Sequence, residues 1–73
     1  MGEPAAAWAV IEDGKINVHT VSPTRIAAMV NFLQINRSVA IFVDDTDYMI
    51  EVYWVRYAND AVVEKVSIAR EAP

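Results

Sequence analysis

The chain contains no cysteine, which excludes disulfide staples and thiolate zinc sites. It has a single histidine, His19, so an all-protein zinc site would have to draw most of its ligands from carboxylates. Only two glycines are present, Gly2 and Gly14, and no glycine-rich phosphate loop can be assembled from them. Basic residues are scarce and scattered. Six Lys and Arg stand against ten Asp and Glu, a formal charge of −4. Phosphate-backbone binding therefore lacks its electrostatic footprint, and direct DNA or RNA binding is set aside.

Long apolar runs are missing as well. Residues 5–11 form a short one, but no basic residue precedes it and Glu12-Asp13 ends it. It reads as neither a signal peptide nor a membrane span, so no membrane association is expected and the cytoplasm is the default compartment. Met1-Gly2 opens like a myristoylation signal, yet Ala6 stands where that signal has Ser or Thr. Residues 1–6 read as a flexible lead-in to a single domain spanning 1–73.

What is present is apolar and aromatic. With 73 residues there is room for one core, and a domain this small needs good packing or a partner subunit to gain stability. Its 55% hydrophobic content exceeds the roughly 45–50% of ordinary globular chains. Two Trp, three Tyr and two Phe supply large areas to bury.

The clearest local signal is Asp13-Gly14 between two runs rich in branched and aromatic residues. Asp-Gly tolerates positive φ at both positions and closes a tight hairpin. Counting outward from the turn pairs Glu12 with Lys15, Ile11 with Ile16, Val10 with Asn17, Ala9 with Val18 and Trp8 with His19. Alternation then puts Ala7, Ala9, Ile11, Ile16 and Val18 on one face, expected to be the core face. Trp8, Val10, Glu12, Lys15, Asn17 and His19 share the other.

Ser22-Pro23 is expected to open a helix, Ser as N-cap and Pro at the first helical position. Ile26, Met29, Val30 and Leu33 follow at helical spacing with Phe32 at the flank, and the helix should end near Asn36. Residues 39–43 form a β-rich run that the acidic segment 44–47 interrupts. Residues 48–57 fit a strand by their Ile, Val, Tyr and Trp content. They also fit a helical stripe of Ile50, Tyr53, Trp54 and Tyr57, with acidic residues before it to complement a helix N-terminus. The strand is favoured, with Asn59-Asp60 turning the chain into a last strand over 61–70. The fold class is thus α+β, a small single-layer antiparallel or mixed sheet packed on one main helix, in the order ββαβββ, with ββαβαβ as the alternative.

Three constellations bear on chemistry. Asp44, Asp45 and Asp47 could offer oxygen ligands to a hard cation, although the glycine and closing glutamate of a calcium loop are lacking; turn and cap formation accounts for the same residues. Ser22, Thr24 and Arg25 at a helix start could meet an anion, or simply cap the helix. His19 has no nucleophile or acid beside it in the pattern and is not read as catalytic. No cofactor is implied.

The aromatic residues point elsewhere. Trp8 and Trp54 fall opposite the main apolar sets of their own hairpins, and exposed Trp favours protein interfaces. Trp8, Val10, Asn17, His19 and Trp54 are therefore the candidate interface. In size and composition the chain looks like the short reading frames of bacteria and their phages. The expected function is a non-enzymatic protein-interaction module, a homodimer, possible variants being a small acidic protein that binds or inhibits another protein. A small metal- or anion-binding enzyme or sensor and a structural subunit of a larger assembly are the alternatives.

Overall fold

The computed structural model describes residues 5–68. Strand β1 (Ala5–Glu12) and strand β2 (Lys15–Ser22) lead into helix α1 (Arg25–Asn36), helix α2 (Asp47–Tyr57) and strand β3 (Val62–Ile68). The three strands form one antiparallel sheet in the order β2-β1-β3. The class is α+β, and the element order is ββααβ. β1 begins at Ala5, inside the stretch expected as lead-in; the rest of that stretch, 1–4, lies outside the described residues, as do 69–70 of the expected last strand.

The hairpin forms where Asp-Gly places it. Asp13 and Gly14 both have positive φ, 55° and 76°, the requirement that Gly meets without steric cost. The pairs Glu12–Lys15, Ile11–Ile16 and Val10–Asn17 follow. Beyond them the ladder breaks, and Trp8 pairs with Ser22 rather than His19. Between the last two pairs stand Ala9 on β1 and Val18, His19, Thr20 and Val21 on β2, so β2 bulges outward.

The bulge is held by its own polar side chains. The buried Thr20 hydroxyl accepts from the Val10 N–H at 2.8 Å and donates to the Asn17 carbonyl at 2.6 Å. Asn17 Oδ1 accepts from the His19 N–H, and Ser22 Oγ donates to the Thr20 carbonyl. Side-chain oxygens thus satisfy backbone groups that an unbroken ladder would have paired.

Helix α1 crosses the face of the sheet bearing Val10, Glu12, Asn17 and Ser22. Phe32 packs on Val10, with Ala58, Ala61, Trp54 and Val63 around them. Asn17 Nδ2 donates to Asn36 Oδ1, and Asn31 Nδ2 donates to Ser22 Oγ. This reverses the expected sidedness. The face of Ile11, Ile16 and Val18 is turned away from the helices, leaving Ile16 and Val18 exposed. Ala7 and Ala9, which alternate with Val10 on β1, are nonetheless buried.

The start of α1 also differs from expectation. Thr24, not Ser22, is the N-cap, accepting from the Ala27 N–H through Oγ1. Ser22 is already committed to β2, and Pro23 precedes the cap. The C-terminus falls at Asn36 as expected, while the positive φ belongs to Ser38.

Residues 39–43 are not a strand. Val39 donates its N–H to the Leu33 carbonyl, and Val39 and Ile41 pack on the cluster of Met29, Leu33 and Ile50. The segment partly buries Val39 and Ile41 against α1 while Val43 stays exposed, and it has no sheet partner among the described residues. Residues 48–57 are helix and not strand. Thr46 caps α2 by accepting from the Met49 N–H, and Asp47 supplies negative charge to the first turn, which the N-terminal end of the dipole favours. The stripe expected of Ile26, Met29, Val30 and Leu33 is the side of α1 that meets α2, whereas Phe32 meets the sheet.

Candidate interaction site

The five residues of the candidate interface do not form one exposed surface, although Val10 pairs with Asn17 and Trp54 packs on the cluster that holds Val10. Val10 is fully buried beneath Phe32, and Trp54 is half-buried against α1, its ring centroid 5.6 Å from that of Phe32. Asn17 is tied to Asn36, Trp8 is half-buried, and His19 is exposed on the bulge. Val10 therefore cannot serve a surface, because α1 lies over the face that alternation alone left open, and Trp54 of α2 is partly covered by its packing on α1.

The other two constellations are each taken up by local structure. Asp45 Oδ2 accepts from the Phe42 N–H within its own turn, Asp47 starts α2, and Asp44 is exposed. Among the described residues no three His, Asp or Glu side chains converge in a way that could hold a metal ion. Ser22 is buried with two hydrogen-bond partners, Thr24 caps α1, and Arg25 forms an ion pair with Glu51 of α2. The helix start is thereby joined to the neighbouring helix.

One residue that the sequence pattern did not single out joins three elements. Arg37, just past α1, donates through Nη2 to Glu12 Oε2 at 2.5 Å and to the Ala58 carbonyl at 3.3 Å, and through Nε to the Tyr57 carbonyl at 3.0 Å. Its guanidinium also lies 4.6 Å from the centre of the Phe32 ring. A cation here meets the carbonyl end of α2, where the dipole is negative, and stacks on an aromatic face.

The surface that stands out is the outer side of α2. Its inner side carries buried Ile50 and half-buried Tyr53 and Trp54. On the outer side Tyr48, Val52 and Val55 are 76%, 40% and 85% exposed. With Glu51 and Arg56 they line one shallow depression. A helix that is apolar on both sides is ordinarily buried on both. A second apolar surface is the helix-free face of the sheet, where Ile16 and Val62 flank Ile11 in adjacent strands. No helix among the described residues is long and apolar enough to cross a membrane.

No family model matches the chain, and no curated protein or solved structure matches it either.

Proposed function

We propose that this protein is a non-enzymatic protein-interaction module that works as a homodimer. The observation that carries the reading is the outer strip of α2, where the Val52 and Val55 side chains and the apolar ring of Tyr48 stay in water. Each buried branched or aromatic side chain contributes about 1.5–3 kcal/mol relative to its exposed state, so a partner covering the strip has a driving force available. Contiguous exposed apolar surface of this kind marks interaction sites. Ten acidic against six basic residues support a protein partner over a phosphate backbone.

Sedimentation equilibrium from low micromolar to a few hundred micromolar chain tests the reading. The weight-average mass should climb from 8.1 kDa toward twice that value as concentration rises. A mass of one chain throughout the range would remove the homodimer.

A further inference from the structure

We infer that two copies associate by pairing α2 in parallel with its counterpart, Tyr48, Val52 and Val55 forming the seam and Glu51 of each copy meeting Arg56 of the other. This rests on the homodimer reading and names the surface and the geometry.

The spacing comes first. Tyr48, Val52 and Val55 recur with the alternating four- and three-residue steps of coiled-coil d, a and d positions, on the side of α2 opposite Ile50. In that register Glu51 is the g residue and Arg56 the following e residue. Parallel two-stranded coiled coils join these two positions across the seam. Two-fold symmetry makes the ion pair twice, once at each side.

Charge then selects the orientation. Asp47 and Glu51 lie one turn apart on the same flank of α2, and Arg56 lies on the other flank. Antiparallel pairing sets like flanks against each other, bringing the carboxylates of both copies to one side and the arginines to the other. Parallel pairing sets the Glu51 flank against the Arg56 flank. Arg56 is exposed and makes no ion pair among the described residues. Glu51 is held by Arg25 of its own chain, yet a carboxylate accepts several hydrogen bonds. Arg25 thus fixes Glu51 at the flank where the partner's arginine arrives.

The contact is small. An 11-residue helix is about 16 Å long, so the seam lies at the low end of specific interfaces and the association is expected in the micromolar range.

Because the chain has no cysteine, single-cysteine variants of the full chain report the geometry cleanly. Val55→Cys places two identical d residues across the axis, so mild oxidation should give a covalent dimer, and Arg56→Glu should raise the dimer dissociation constant about tenfold or more with an unchanged far-UV spectrum. Ile16→Cys, on the helix-free sheet face, should stay uncrosslinked. Cross-linking at Ile16→Cys but not Val55→Cys, in a chain that sediments as a dimer, would overturn this seam while leaving the homodimer standing. Preferential cross-linking of mixed Val52→Cys and Val55→Cys chains over either alone would overturn the parallel orientation. A wild-type chain that sediments as one copy throughout would overturn both readings.

Discussion

Replacing Thr20 with valine changes almost no volume, yet it removes the hydroxyl on which the bulge in β2 depends. Thr20 is fully buried, and its oxygen stands between the Val10 N–H at 2.8 Å and the Asn17 carbonyl at 2.6 Å. A second methyl leaves both groups without that partner. An unsatisfied buried donor or acceptor costs about 1–3 kcal/mol. The carbonyl keeps some capacity to find another donor, so the expected loss is about 2–4 kcal/mol. Native domains are stable by only about 5–15 kcal/mol, and a chain this short belongs at the lower end, so the melting temperature should fall by on the order of 10 °C or more. Thr20→Ser keeps the hydroxyl and removes one methyl, a loss of about 1 kcal/mol. Urea unfolding of the two variants beside the wild type, compared at a common m-value, decides the matter. If valine is tolerated as well as serine, or costs less than about 0.5 kcal/mol, the hydroxyl does not hold the bulge and the reasoning fails.

Leu33 is fully buried between α1, α2 and the wrapping segment; Leu33→Ala should cost about 2–5 kcal/mol, and in urea the variant should be unfolded or nearly so at denaturant concentrations that the wild type withstands. Arg37→Lys keeps the charge but loses the fork that reaches Glu12, Ala58 and Tyr57 together. A loss of about 1–2 kcal/mol is expected, and a double-mutant cycle with Glu12→Gln should show coupling between the two positions. An additive result would reduce the Arg37–Glu12 pair to a surface contact.

Parts of the architecture were legible from short-range signals. Asp13-Gly14 fixed its hairpin because few dipeptides accept positive φ twice. The apolar spacing from Ile26 to Leu33 marked α1, and its end at Asn36 was read correctly. The bulge was not foreseen, since counting from the turn assumes an unbroken ladder. Its only trace in the sequence is the set Asn17, Thr20 and Ser22, side chains that can bond to nearby backbone.

Of the candidate site little was legible. In a strand over 48–57, Val52 and Arg56 are parted from Glu51 and Val55, and Glu51 reads only as an outlier of the Asp44–Asp47 acidic cluster, because strand alternation scatters the side that helical geometry gathers. Trp54 was assigned to a surface for the same reason, and α2 turns it toward Phe32.

By itself the sequence determined the hairpin turn, the existence and end of α1, the α+β class and the acidic, cysteine-free character of the chain. These follow from backbone preferences and side-chain period, which act over a few residues. Tertiary structure alone decided which face of the sheet is covered and whether 48–57 coils or extends. Both faces of the hairpin carry apolar residues, so alternation can say which side chains share a face but not which face meets α1. The choice at 48–57 came from the Thr46 cap together with the docking of Ile50, Tyr53 and Trp54 against Met29 and Leu33, residues remote in sequence. Such burial overrides the β preference of Tyr, Val and Trp because it removes large apolar surfaces from water, whereas strand preference spans only about 1 kcal/mol and depends on context.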